Sequence, residues 1–361
     1  MTAPPETARA WVDVDLDALV ANARTLVAAC GTRLLPMVKA NGYGLGAARV
    51  AQALETLDPW GYGVATVEEG RALRDAGIRR PLLVVSPLTP DDVAPVLEHG
   101  FRPAIGDVDT LRIWVARTEA PFHLEIDTGM SRGGIRWSDR EAIAGVERVL
   151  AAAPGWEGVF THFHSADTDT TSIATQWGRF QAVLATLPRR PLVHAANSAA
   201  ALCDRAYAGD LVRPGIFLYG GEAGSTGPAP RPVAALRARV LAVRTIGAGE
   251  SVSYGATWAA ERPTTIATLG VGYADGLPRA AERGAAWPQR RVEIGGRVVP
   301  IVGRVTMDMC MAAVDDGRVA VGDVATVFGG LVTLDEHARS VGTIAYEVLT
   351  SLGARLPRRY Q

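Results

Sequence analysis

Between residues 34 and 220 the chain repeats one pattern, a short apolar run and then an amphipathic stretch with helical spacing. The runs are "LLPMVKAN" (34–41), "GYGVAT" (61–66), "PLLVVSP" (81–87), "RPAIG" (102–106), "FHLEID" (122–127), "WEGVFTHF" (156–163), "PLVHAAN" (191–197) and "LVRPGIFLYG" (211–220). The amphipathic stretches include "DLDALVANARTLVAAC", where Asp15 is placed to cap the N-terminus, and "EEGRALRDAG". Strands separated by helices run parallel in one sheet, with the helices packed on its faces. Roughly eight such units fit a closed (β/α)8 TIM barrel better than an open doubly wound sheet, because the first turn lacks a glycine-rich dinucleotide fingerprint.

Near residue 235 the texture changes. "ALRARVLAVRTIGAGESVSYGATW", "TTIATLGVGYADG", "RRVEIGGRVVPIVGRVTMDMCMAAVD" and "VGDVATVFGG" alternate β-branched residues with glycine turns and lack helical spacing. The expected fold class is therefore α/β, an N-terminal TIM barrel over 11–232 followed by a mostly β C-terminal domain over 233–361. The segment "EAGSTGPAPRP", Glu222 to Pro232, reads as the linker.

Composition removes several function classes. The 361 residues are 48% hydrophobic and 21% charged, enough for a large core, and a net charge of −1 leaves no basic footprint for nucleic acid or an anionic membrane. Cys30, Cys203 and Cys310 lie far apart without CxxC spacing, which argues against a disulfide framework or a zinc site. The start, "MTAPPETARA", carries no apolar core or cleavage pattern, and no apolar run reaches membrane-spanning length. A cytoplasmic location is expected.

Lysine plus arginine number 37, and Lys39 is the only lysine. Arginine replaces lysine readily as a surface charge, but its guanidinium stays protonated and cannot act as a nucleophilic amine. Chance survival of one ordinary lysine is the bland reading. Against it, His162, Asn197, Ser198 and Arg213 also sit toward the C-terminal ends of different candidate strands, the rim where barrel active sites are built. Taken singly, a strand-end histidine is usually structural and an Asn-Ser pair usually a turn. Together on one rim they point to a site.

The segments "VKANGYG", "DTGMSRGGIR", "THF", "HAANSAA", "VRPGIFLYG", "VSYGATW", "GYADG", "GRVTMD" and "YEV" run in order from residue 38 to 348, and with them the chain resembles the bacterial alanine racemases, fold-type III pyridoxal-phosphate enzymes. The resemblance implies pyridoxal 5'-phosphate as cofactor, L- and D-alanine as substrates, a homodimer with shared active sites, and no metal.

It also implies roles. Racemisation removes a weakly acidic α-proton on one face and returns one on the other, so it needs an electron sink and two bases. By resemblance Lys39 carries the cofactor and is one base, and Tyr254 of the partner subunit is the other. Tyr43, Ser198 and Tyr346, with backbone amides near Gly215 and Ile216, correspond to the phosphate contacts. His162 and Asn197 join the cofactor site, and Arg213 faces the pyridine nitrogen. Arg132 and the Met307 amide meet the substrate carboxylate, with Glu125, Asp308 and Tyr273 in support.

Four positions depart from the family pattern: Leu45 for a histidine, Thr306 for a cysteine, His164 for a small residue, and Glu125 for a lysine that carries a carbamate. Strand alternation puts His123, Glu125 and Asp127 on one face, so Glu125 is expected to supply that negative charge permanently and to hold Arg132. Two other functions fit the same residues less fully. A racemase of serine or a broader set of amino acids would use the same machinery, and a noncatalytic pyridoxal-phosphate-binding protein would not need Tyr254, Arg132 or the β domain.

Overall fold

The computed structural model describes residues 8–224, 227–279, 288–314 and 318–361. Part of the N-terminal segment and part of the expected linker, at 225–226, lie outside the described residues. Strands β3 (Tyr62–Val64), β4 (Leu82–Pro87), β5 (Arg102–Ile105), β6 (Phe122–Asp127), β8 (Trp156–Phe160) and β9 (Leu192–His194) form a parallel half-barrel sheet in that order, with β7 (Ile135–Arg136) beside β6. Two shorter strands, β2 (Arg33–Leu34) and β10 (Leu211–Val212), pair in parallel with each other. Main-chain bonds run from Trp60 N–H to the Leu34 carbonyl (2.9 Å) and from Asp210 N–H to the Val193 carbonyl (2.7 Å), so this pair touches both edges of the half-barrel.

The helices follow from local signals. Helix α1 (Leu16–Cys30) starts at Asp15, whose carboxylate accepts from the Ala18 N–H at 2.7 Å, and ends at Gly31 in the left-handed region. It buries Leu19, Ala23, Leu26 and Cys30. Each buried leucine contributes roughly 1.5–3 kcal/mol, so Leu26→Ala would cost about 2–5 kcal/mol. The Asn22 amide clamps Arg231 by accepting from its N–H (2.7 Å) and donating to its carbonyl (2.9 Å), which ties this helix to the connection between the two sheets.

The second sheet is antiparallel and barrel-like. Strands β14 (Thr264–Leu269), β17 (Cys310–Val314), β16 (Arg297–Val302), β15 (Arg291–Ile294), β18 (Val324–Phe328) and β11 (Ala234–Ile246) follow one another, and β11 also pairs with β14, closing the sheet on itself. A hairpin of β12 (Ser251–Val252) and β13 (Trp258–Ala259) projects from it. Strand β1 (Ala10–Val14), which the expected boundary groups with the first domain, is instead hydrogen-bonded into this sheet between β11 and β19 (Arg358–Tyr360). All of its residues are buried, and only a position between two other strands satisfies both edges of so apolar a run.

Two of the expected strands are much shorter than read. "LLPMVKAN" leaves extended geometry after Leu34 apart from a bridge at Met37, and "LVRPGIFLYG" stops at Val212, ahead of Pro214 and a turn. In both, an apolar run ends where the chain bends to present side chains. Among the described residues, no helix is long and apolar enough to cross a membrane.

Candidate active site

Lys39 opens a short turn, α2 (Lys39–Tyr43), in which Ala40, Asn41, Gly42 and Tyr43 all have φ between 52° and 63°. Such left-handed geometry costs non-glycine residues on the order of 1–3 kcal/mol each, so neighbours must hold it. The Glu69 carboxylate accepts from the Ala40 and Ala65 N–H groups, both at 2.7 Å, and Asn41 Oδ1 accepts from the Ala47 N–H at 3.0 Å. The bend turns the Lys39 side chain into a cavity of about 330 Å³. Burial there lowers the Lys39 pKa, Arg132 and Arg213 add to the effect, and Glu69 opposes it.

Arg213 is buried and heavily constrained. Its Nη1 donates to the His194 carbonyl and to His194 Nδ1, both at 2.8 Å, while Nη2 donates to the carbonyls of Thr161 (2.7 Å) and Ala195 (3.1 Å) and reaches His162 Nδ1 at 3.3 Å. Among the five N–H donors of a guanidinium, Nε–H is thus left without a protein partner among the described residues. Arginine only donates, so His162 Nδ1 accepts and the neutral ring keeps its proton on Nε2. Burial, reinforced by Arg213, pushes the His162 pKa down to about 3, and burial brings that of Arg213 to about 10.

The opposite end of the cavity is a cluster of hydroxyls. Ser198 Oγ accepts from the Gly215 N–H at 2.9 Å, so its own proton is free to be donated. Tyr43 and Tyr346 form no hydroxyl hydrogen bond with other described residues, and their rings lie 6.0 Å apart. Burial raises both phenol pKa values, that of Tyr346 to about 12, so both hydroxyls stay protonated donors. A Cβ on Gly215 would collide with the Tyr43 hydroxyl. Asn197 caps the helix Ser198–Cys203 by accepting from the Ala200 N–H at 3.0 Å.

Lys39, Tyr43, Glu125, Arg132, His162, Asn197, Ser198, Arg213, Gly215 and Tyr346 all line this cavity. Ile216 is buried outside its lining. The loop carrying Arg132 folds over Asp127, whose Oδ1 accepts from Gly129 (2.9 Å) and Ser131 (3.0 Å). Glu125 faces the same space, its pKa raised by burial against the pull of Arg213 and Arg132, but no ion pair within 4.0 Å joins it to Arg132.

Four other expected residues lie apart. Tyr254 is 67% exposed and borders a separate hollow with Thr306 and Met309. Met307 is 54% exposed and its carbonyl accepts from the Ala274 N–H at 3.0 Å; Tyr273 donates its N–H to the Thr306 carbonyl at 3.0 Å. Asp308 pairs with Arg355 (2.8 Å) and Arg9 (3.1 Å), which hold its carboxyl below the usual range. None of the four lines the Lys39 cavity within the chain.

Family comparisons agree over both sheets. A model described as "Alanine racemase, N-terminal domain" matches residues 14–223, and one described as "Alanine racemase, C-terminal domain" matches residues 233–360. The chain belongs to the alanine racemase family. Among its relatives, the alanine racemase of Deinococcus radiodurans is 41% identical over 97% of this chain and 99% of its own, and that of Geobacillus kaustophilus is 38% identical over 96% and 93%. Among solved structures, alanine racemase from E. faecalis superposes with a TM-score of 0.88 at 33% identity over 100% of both chains. That from Bartonella henselae, with covalently bound pyridoxal phosphate, gives 0.89 at 31% over 98% of this chain and 100% of its own.

Two residues that support the cavity, Tyr219 and Glu69, were not expected from the sequence. Tyr219 stacks on Tyr43 with ring centres 4.4 Å apart and donates its hydroxyl to the Met37 carbonyl at 2.9 Å. Glu69 clamps the turn after Lys39. Neither carries a local signal, because tyrosine in an apolar run and glutamate in the first turn of a helix are both ordinary.

Proposed function

We propose that the protein interconverts L-alanine and D-alanine, using pyridoxal 5'-phosphate held by Lys39. The observation that carries this reading is the convergence of the chain's only lysine, a guanidinium with Nε–H left over, and three hydroxyl donors on one cavity. The cofactor fits that set. About 330 Å³ lies within the range of roughly 300–1,000 Å³ usual for small-molecule sites. Tyr43, Ser198 and Tyr346 suit a phosphate, Gly215 leaves room for it, and Asn197, His162 and Arg213 lie along the remaining wall. When bound, the cofactor supplies an electron sink for the pair left at the substrate α-carbon.

The residues then divide the work. Lys39, its pKa lowered, takes the α-proton on one face through Nζ, and Tyr254 of the partner subunit gives a proton from its hydroxyl on the other; the reverse reaction exchanges the roles. Arg213 can donate through Nε but cannot readily release a proton, which limits how strongly electrons are drawn away and disfavours side reactions. Arg132 and the Met307 amide of the partner orient the substrate carboxylate, with Asp308 and Tyr273 supporting that face. Glu125 takes the place of the family's carbamate and balances the charge of Arg132 and Arg213.

This reading requires a homodimer, because Tyr254 and Met307 lie off the Lys39 cavity within one chain. It also takes the parallel strands as a full TIM barrel ending near residue 232, with 233–361 and the N-terminal strand β1 forming the second domain; the bonds of the β2–β10 pair to both edges of the half-barrel support closure. The test is an absorption spectrum of the purified protein and chiral analysis of L-alanine incubated with it. A yellow protein that yields racemic alanine is expected. A colourless protein that stays inert when pyridoxal 5'-phosphate is added would sink the proposal.

A further inference from the structure

A row of polar groups, buried except at its half-buried end Glu157, leaves the cavity through the inside of the parallel sheet. Arg213 Nη1 meets His194 Nδ1 at 2.8 Å, His194 Nε2 meets His123 Nδ1 at 2.7 Å, and His123 Nε2 meets Glu157 Oε2 at 3.3 Å. The row ends where Arg102 Nε pairs with the same Glu157 oxygen at 3.0 Å. Both imidazoles are fully buried.

The chemistry of the ends fixes the middle. A guanidinium has no acceptor, so His194 Nδ1 must be bare and its proton must sit on Nε2. That proton points at His123 Nδ1, which must also be bare, leaving the His123 proton on Nε2 facing Glu157. A carboxylate at that end can only accept, so the far end demands the same tautomers as the near end. Reversing either ring would set N–H against N–H or lone pair against lone pair inside a buried sheet, where unmatched polar groups are costly.

The packing protects this arrangement. His194 stacks on Phe160 with an interplanar angle of 14°, and the His123 ring lies 5.3 Å from that of Trp60. A Cβ on Gly158 would collide with the His123 ring, so the space for the row depends on that glycine. The other charged groups around Arg213 are Glu125, Arg132 and Lys39, and those around His123 are Glu157, Arg102 and Arg213. Burial lowers the pKa of both imidazoles, in keeping with neutral rings.

We propose that Glu157, His123 and His194 are positioning residues for Arg213: the row locks Nη1 into fixed hydrogen bonds and so leaves Nε–H as the donor offered to the cavity. This rests on the cofactor reading above only for what Nε–H meets. The row itself is a property of the protein.

The test uses protein labelled with ¹⁵N in its histidine rings. His123 and His194 should both show the neutral Nε2–H tautomer from about pH 6 to 9, with the neutral form supported by their burial. Either ring found as the Nδ1–H tautomer or as a cation overturns the proposal. In Glu157→Gln, which keeps an acceptor but loses the charge, the ¹⁵N signals of His194 should move although His194 does not touch residue 157. The affinity of cofactor-stripped protein for pyridoxal 5'-phosphate should fall about threefold. If that variant does not fold, Arg102→Gln weakens the same end from outside and should move the same signals in the same sense. Unmoved His194 signals in the folded variant would overturn the relay. Native protein that shows the expected tautomers yet binds no pyridoxal 5'-phosphate would overturn the cofactor reading and leave the row standing.

Discussion

The parallel half-barrel and the antiparallel sheet present their expected site residues in opposite ways. In the parallel half, Arg213 and Ser198 are 4% and 2% exposed and are fixed by hydrogen bonds. On the antiparallel sheet, Tyr254 and Met307 are 67% and 54% exposed. A buried, preorganised set can hold a ligand by itself, whereas exposed residues gain a defined geometry when another surface covers them. Within one chain the cavity residues are thus fixed and the second set is open to solvent, the arrangement that the proposed site shared between two copies would need.

The comparison breaks most visibly at Lys39. Lys39→Arg keeps the charge and removes the transferable proton and nucleophilic amine, so racemisation should fall at least about a thousandfold. Borohydride reduction of the native protein with pyridoxal 5'-phosphate should label one side chain, and the variant should take up none. A yellow, active Lys39→Arg enzyme would refute the assignment.

Tyr254→Phe tests the open half. Activity should drop on the order of a hundredfold to a thousandfold with cofactor binding and thermal stability unchanged, since the hydroxyl is exposed in the single chain. Mixing this variant with Lys39→Ala under subunit exchange should restore activity, because one site of each mixed dimer is then intact. Exchange without recovery would show that Tyr254 acts within its own subunit or not at all.

Acid should separate the two halves thermodynamically. His123 and His194 are buried with pKa values lowered by burial, and those of His162 and His337 fall to about 3. Each folded ring stays neutral while its unfolded counterpart gains a proton below about pH 6.5. Stability is therefore fully present above that pH and is lost as pH falls toward the folded values, by about 1.4 kcal/mol per pH unit for each fully buried ring. His123, His162 and His194 belong to the parallel half and His337 to the other. Hydrogen exchange between pH 7 and 5 should show protection falling faster in the parallel strands, and equal loss in both would contradict this.

Glu125→Gln is the smallest change. KM for alanine should rise about threefold with cofactor binding retained, through weaker support of Arg132, and native activity should not respond to bicarbonate. The absence of a close Glu125–Arg132 pair limits the size of the effect and leaves room for a bridging water. Unchanged kinetics would remove Glu125 from the site.

Sequence by itself carried the alternation of strand and helix, the change of texture near residue 235, the Asp15 cap, and the peculiarity of Lys39. These are local facts, since periodicity and residue chemistry act within a few positions. The motif order also yielded most of the cavity wall. What it could not yield were the left-handed turn after Lys39, the placement of β1 in the far sheet, Tyr219 beneath Tyr43, and the row from Arg213 to Glu157. Each depends on partners far apart in the chain: Glu69 holds Ala40, β19 covers β1, and Gly158 clears space for His123. A histidine or a glutamate in a strand looks the same whether it faces solvent or another ring. Only the pairing of β6 and β9 on either side of β8 brought His123 and His194 within hydrogen-bonding distance of each other, and burial then made their tautomers matter.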